Sequence, residues 1–424
     1  MATNQYNSGT DATAGANTIV HYYDRAGVKA ANRVNIYGQF ADRKSMPKKM
    51  GKTFKISKFL HMYDRALNDG EFAAKGFLSA RTVDEVNTAL SNATLAEGAG
   101  AVNKKTLTKV TMDTTLARYG EMVDYTDEVE LFSEDAMQVR YREELGELAN
   151  SRMEDLIQLD MLATSTILYA GTATAIDEID EDSTVSYDLI RKAVRKLVRN
   201  RAKKNTSMVT GSTKIDTKTV AKAYYAIIGA NVKGDLETLT RGTVADNGTT
   251  EFVYIPAHKY GAAGTLAEGE VGAMHEVRFI ESEGAVIYAA EGAIADGWYG
   301  TEADNTTPVT TVKYATEALA IAGQAGNAAV EVDYEGTLSH TATADTGDAT
   351  SRFDVFPILF PTQGCFATVG LKGMGKIKFN SQSPAVVENA NPYGTNGFFS
   401  YNFFYAGIIL EEEKLLKVLV SASA

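Results

Sequence analysis

Apolar and polar positions alternate from Thr53 onward, with Phe54, Ile56 and Phe59 set against Lys55, Ser57 and Lys58, which predicts a strand. The pattern returns over 105–112 and 119–129. Strand-like runs enclosing the loop and short helix of 68–105 predict a long hairpin, whose edges need partners because unpaired strand edges recruit other chains. The period changes at Ser133. Ser133, Glu134 and Asp135 make a good helix start, a capping hydroxyl followed by acids at the positive end of the dipole. Met137, Tyr141, Leu145, Leu148, Leu156 and Leu159 then recur at helical spacing, and a helix over 134–170 is expected, ended by Gly171. About 30 residues at 1.5 Å each span roughly 45 Å. With no persistent heptad, such a helix needs a sheet or a neighbouring subunit to lie on.

A second helix is expected from Ser186 to about Ala202. Leu189, Ile190, Ala193, Val194, Leu197 and Val198 form its apolar stripe, and Arg191, Lys192, Arg195, Lys196, Arg199 and Arg201 its basic face. That face suits a solvated surface, DNA or an acidic neighbour. Residues 207–300 read as mixed α/β, with a helix over 220–229 and strands over 252–255, 277–280 and 285–289. Residues 301–352 turn to Thr, Ala, Asp and Gly and lack a strong core pattern beyond short strand-like runs at 309–314 and 329–334. They read as an insertion or small surface domain. Residues 353–405 hold twelve Phe or Tyr and four of the seven prolines, and 398–410 and 414–420 read as closing strands.

Charge changes this picture at one place. Residues 24–58 carry ten Lys or Arg against two acids, +8 within a 424-residue chain of net −12. A polar arm followed by this segment is drawn to an acidic surface, either nucleic acid or another copy of the protein. Arg43, Lys44, Lys48, Lys49, Lys52 and Lys55 are therefore the candidate inter-subunit contacts.

Candidate chemistry is mostly excluded. A single cysteine, Cys365, rules out an intrachain disulfide framework and multi-cysteine metal sites, and reads as a small buried residue. The histidines at 21, 61, 258, 275 and 340 are scattered, and His275-Glu276 lacks the second histidine of a zinc-protease helix. Gly370-Leu371-Lys372-Gly373-Met374-Gly375-Lys376 matches most of a phosphate-binding loop. The next residue, Ile377, offers no hydroxyl to magnesium, so a glycine turn between strands is expected instead. No stretch approaches the ~20 apolar residues of a membrane span. No enzyme, cofactor or metal is expected.

Six strings in order carry a resemblance. They are Leu95-Ala96-Glu97-Gly98, then Leu116-Ala117-Arg118-Tyr119-Gly120-Glu121-Met122-Val123-Asp124-Tyr125-Thr126-Asp127, then Leu145-Gly146-Glu147 and Ile167-Leu168-Tyr169-Ala170-Gly171. Gly269-Glu270-Val271-Gly272-Ala273-Met274-His275-Glu276-Val277-Arg278-Phe279-Ile280-Glu281-Ser282 and Phe403-Phe404-Tyr405-Ala406-Gly407-Ile408-Ile409-Leu410 complete the series. Over most of 50–300 and 353–420 the chain resembles the major capsid proteins of N-four-like (Enquatrovirus-type) tailed phages.

The resemblance implies an α+β, Hong Kong 97-type capsid fold: an N-terminal arm (1–50), an extended E-loop hairpin (51–125), a peripheral domain with the spine helix (126–175), an axial domain (176–300), the insertion (301–352) and closing strands (353–424). It also implies hexamers and pentamers that close into an icosahedral head around double-stranded DNA. Portal, scaffolding or decoration proteins would be partners, the virion the location, and the bacterial host cytoplasm the place of assembly. A cellular nanocompartment shell of encapsulin type is the alternative.

Overall fold

The structure is a computed structural model of the chain, and it describes residues 35–59, 82–95, 97–98, 103–104, 107, 109–132, 137–209, 217–240, 253–259, 266–295, 297–301, 308–314, 317–323, 328–332, 342–344, 351–372, 377–387 and 391–423. In chain order they form β1 (Asp42–Met46), β2 (Thr53–Phe59), α1 (Val83–Ser91), β3 (Lys109–Thr115), β4 (Ala117–Thr126), α2 (Asp127–Phe132), α3 (Met137–Leu162), β5 (Ile167–Tyr169), α4 (Tyr187–Arg199), β6 (Asn205–Val209), β7 (Thr217–Gly229), α5 (Ala230–Thr238) and β8 (Ile255–Pro256). There follow β9 (Glu270–Met274), β10 (Val277–Ser282), β11 (Gly297–Thr301), β12 (Pro308–Tyr314), α6 (Glu317–Gly323), β13 (Ala329–Val332), β14 (Ala342–Ala344), β15 (Ser351–Phe353), β16 (Phe356–Phe360), β17 (Phe366–Leu371), β18 (Lys378–Gln382), β19 (Asn396–Ile409) and β20 (Leu416–Val420). Two compact units result. The larger comprises Arg33–Glu121, Leu148–Lys378 and Tyr401–Ala424, and the smaller includes Met122–Glu147 and Phe379–Ser400.

The core of the larger unit is an eight-stranded sheet in the order β5-β20-β16-β7-β10-β9-β8, with β6 also on β7. Every residue of β16 and β20 is buried, as an interior strand covered on both faces requires. Helix α4 follows the expected pattern. Ser186 caps it by accepting from Leu189 N, and Leu189, Ile190, Ala193, Val194 and Leu197 are buried against the sheet's Phe279, Phe356 and Ile358. Each fully buried large aliphatic side chain contributes roughly 1.5–3 kcal/mol. Val198 lies outside this stripe, 55% exposed.

Four expectations are corrected. Residues 220–229 are strand, not helix, because β7 lies between β16 and β10 and pairs with β10 from Tyr224 to Gly229. The long helix ends at Leu162 rather than near 170. Ile167–Tyr169 instead forms β5, paired in parallel with Lys417–Leu419 of β20. Residues 285–289 form no strand beyond an isolated bridge from Tyr288 to Val355. The expected strand over 119–129 also gives way to helix at Asp127, and Ser133–Asp135 lie outside the described residues.

The larger unit contains a second sheet region, where β1 pairs in parallel with β17, and β17 pairs antiparallel with β19. The expected hairpin lies beside it. Thr53 to Phe59 of β2 faces Thr115 to Lys109 of β3, and Phe54 and Met112 pack on Met46, Leu116, Ala367, Val369, Ala406 and Ile408. Within 301–352, Thr301, Pro308–Tyr314 and Ala329–Val332 belong to a separate three-stranded sheet, β12-β11-β13, with Ala320 of α6 fully buried.

In the smaller unit β18 pairs with β19. Tyr125 stacks on Phe399 with ring centroids 5.2 Å apart, and Tyr141 lies 6.1 and 6.2 Å from these rings. The stack requires a glycine at 397, where a Cβ would meet the Tyr125 ring at 2.7 Å and Gln382 O at 2.8 Å.

Candidate functional site

The six candidate cations line one exposed stretch. Arg43 and Lys44 lie on β1, whose parallel register on β17 is held by the buried Met46. Lys48 and Lys49 occupy the turn that follows, with Lys49 at φ +67° and Gly51 at φ +84°. Lys52 precedes β2, and its carbonyl accepts from Leu116 N at 2.9 Å. Lys55 lies on the outer face of β2, opposite the half-buried Phe54 and Ile56. All six side chains are exposed, as is Met50 at 71%. The stretch therefore presents positive charge around an apolar side chain.

Lys58, farther along β2, is tied down. Its Nζ donates to Leu410 O at 3.3 Å and lies 3.7 Å from Glu413 Oε1, a carboxylate that is 3% exposed as a residue. The chain just before β1 is anchored to α3. Tyr37 N and Gly38 N donate to the two oxygens of Glu154 at 2.9 and 3.1 Å, and Gln158 hydrogen-bonds the Tyr37 hydroxyl at 2.9 Å.

The basic face of α4 is less uniform than its sequence. Arg191 pairs with Asp188 at 3.1 Å and lies over the Tyr187 ring. Lys196 turns inward and donates to Ile167 O at 2.8 Å, and burial holds its ammonium below the usual lysine range.

The groups considered for catalysis do not assemble. Cys365 is fully buried, and burial pushes its thiol up to about 12. His275 and Glu276 form the exposed two-residue turn between β9 and β10, with His275 at φ +56°. His258 is exposed, and the other three histidines lie outside the described residues. Gly370 and Leu371 end strand β17, and 373–376 lie outside the described residues. Among the described residues no group of three His, Cys, Asp or Glu is placed to hold a metal. No described helix is long and apolar enough to cross a membrane.

The sequence reading does not single out a second surface, in the smaller unit. Asn391 is 9% exposed, and its side chain ties 384–386 to 395–396. Its Nδ2 donates to Pro384 O, Val386 O and Asn396 O, and its Oδ1 accepts from Thr395 N and Asn396 N. Gly394 N donates to Asn391 O at 3.2 Å, closing Asn391-Pro392-Tyr393-Gly394, a β-turn sequence with Asn first, Pro second and Gly last. That motif is the signal that could have located it. The loop displays Val386, Val387 and Tyr393 at 42, 67 and 88% exposure.

Comparison with known proteins follows from this geometry. The chain is 27% identical over 419 residues to the major capsid protein of Pseudomonas phage KPP21, covering 96% of this chain and 93% of that one. Its fold matches the capsid of Ralstonia phage GP4 with TM-score 0.56 and 11% identity over 99% of both chains. It also matches the capsid asymmetric unit of cyanophage Pam1 with TM-score 0.50 and 10% identity, over 97% and 98% of the two chains. No family model matches the chain. The fold is the mixed α+β fold of phage capsid proteins.

Proposed function

We infer that this chain is a phage major capsid protein, many copies of which close into an icosahedral head. The observation that carries the reading is the end-to-end likeness to the KPP21 protein, 27% over 96% of the chain, joined to a capsid fold matched over 99% of its length. The finer reading is an N-four-like, Hong Kong 97-type subunit: arm 1–50, E-loop 51–125, spine helix within 126–175, axial domain 176–300 and an insertion at 301–352. The β2–β3 hairpin and the 26-residue α3 support these assignments. Hexamers and pentamers arise from heterologous contacts that close into rings. Arg43, Lys44, Lys48, Lys49, Lys52 and Lys55 contact acidic surfaces of adjacent subunits, which lowers their mutual repulsion in a net-negative shell. The packaged load is double-stranded DNA, and a portal and scaffolding proteins complete the head. Relatives that are phage proteins favour this over a cellular nanocompartment.

Electron microscopy of the expressed chain after size-exclusion chromatography tests the reading. Closed shells or rings of five and six subunits are expected. A monodisperse monomer that also bound nucleotide tightly would overturn it. Charge reversal of Lys48, Lys49 and Lys52 together tests the cationic contact. Unchanged yield and unchanged DNA content would remove these residues from assembly.

A further inference from the structure

Helix α4 lies on one face of the main sheet and turns a cationic face outward. Leu189, Ile190, Ala193, Val194 and Leu197 are buried in one cluster with Phe356, Ile358, Leu416 and Val418. The other side of the helix and the turn after it display Arg191, Lys192, Arg195, Arg199, Arg201 and Lys203, all exposed. Val198 lies among them, 55% exposed. Asp188 and Glu276 enter this surface as partners of Arg191 and Lys204, at 3.1 and 2.8 Å. The Asp188–Arg191 pair is exposed, and an exposed pair contributes little, so Arg191 can exchange it for another anion.

The opposite face of the sheet carries the opposite charge. Side chains alternate along a strand. On β20, Leu416, Val418 and Val420 face α4, while Leu419 packs with Ile179 and Val355. Ile179 is fully buried and anchors the turn 177–182, whose Asp177, Glu178, Glu181 and Asp182 are exposed. The two charged surfaces therefore lie on opposite sides of one body and do not neutralise each other. A polyanion orients such a body with the basic side toward itself.

Residue type narrows the anion. Four of the six exposed cations on and after α4 are arginines, whereas 43–55 holds one arginine and five lysines. A planar guanidinium matches phosphate with two hydrogen bonds and is less strongly hydrated than an ammonium. Arg191, Arg195 and Arg199 are spaced four residues apart, a row of about 12 Å along the helix. Double-stranded DNA presents a phosphate charge about every 1.7 Å of its axis, so the row spans several of them. Contacts of this kind position a duplex without reading its sequence.

We infer that the outward face of α4, continued through Lys203, is the surface that meets the phosphates of packaged double-stranded DNA. The inference rests on the reading of the load as DNA and deepens it, because it names the side of the subunit turned toward that load.

Formaldehyde treatment of DNA-filled heads tests it, since the reagent joins lysine amines to bases close by. Adducts are mapped by mass spectrometry after nuclease and protease digestion. Adducts on Lys192 or Lys203 are expected. Adducts confined to other lysines, those of 43–55 included, would overturn this inference alone and leave the face to an acidic neighbour. Heads that hold no double-stranded DNA would overturn the reading of the load and this inference with it. A second measurement uses the full chain, kept below its assembly concentration, with a short duplex of mixed sequence. Fluorescence anisotropy follows binding from about 50 to 200 mM salt. Lys192→Gln together with Arg195→Gln is expected to reduce the slope of log affinity on log salt by about 1.8, two contacts at about 0.9 each. Circular dichroism confirms that the variant is folded. An unchanged slope would remove these residues from DNA contact and overturn the inference.

Discussion

The Tyr405 hydroxyl donates to Asp160 Oδ2 at 2.7 Å, pairing β19 with α3 inside the larger unit. Gly407 lies against the same carboxylate, and a Cβ there would collide with it. Burial raises the Asp160 carboxyl above its ordinary 3.8, and the Tyr405 bond offsets only part of that rise. The native state therefore holds this proton at pH values where the unfolded chain has released it. The resulting stability is fully present below the unfolded pKa and is lost as pH rises through the folded one. Asp160→Asn keeps an acceptor for Tyr405 and removes the titration. Thermal melting from roughly pH 4 to pH 7 should then fall less steeply in the variant, and identical slopes would contradict the assignment.

Glu154 grips the backbone at Tyr37 and Gly38. Glu154→Ala removes the acceptor from a buried and a half-buried amide and should cost about 1–3 kcal/mol. Limited proteolysis should cut within 35–40 in the variant before the parent, and Glu154→Gln should lie between them. Gly38→Ala should mimic the loss, because its Cβ would lie 2.8 Å from Glu154 Oε1.

Lys58 and Glu413 should show strong coupling. Glu413 Oε1 has no hydrogen-bond partner, and Lys58 Nζ lies 3.7 Å away. Lys58→Met strands a buried carboxylate and should destabilise by roughly 1–3 kcal/mol. The double variant Lys58→Met/Glu413→Gln should recover most of that in denaturant titration. Additive losses would show that the pair does not act together.

Cys365 should be chemically silent. Its thiol, pushed up to about 12 by burial, is almost entirely protonated near neutral pH, and the thiolate is the reactive form. Iodoacetamide should label it only as the protein unfolds, with the labelling midpoint following the melting curve. Fast labelling of native protein would contradict its burial.

Local signals in the sequence located some of these elements and not others. Helix α4 was legible because a capping serine, a one-sided apolar stripe and a basic last turn all agree. The β2 strand was legible because one face is covered and the other solvated. Residues 217–229 were not. Their run Ala223-Tyr224-Tyr225-Ala226-Ile227-Ile228 has neither period, since a strand buried on both faces shows no alternation. The far end of α3 was hidden for another reason. Lys417 Nζ donates to Leu162 O at 2.9 Å, so the residue that caps the last turn lies 255 positions away. The cations at 43–55 were visible as composition.

The parallel pairing of Asp42–Met46 with Ala367–Leu371, and the place of Leu416–Val420 inside the main sheet, have a consequence for timing. At about 5–20 residues per second, strand β1 leaves the ribosome tens of seconds before its partner is made. The central sheet waits longer still for Leu416–Val420, which joins β5 to β16. Strands β7 to β10 are paired with one another by Ser282, so one edge of that sheet can form early while β16 and β5 stay unjoined until β20 has been made. The order of synthesis thus sets the order in which the two halves of the central sheet close.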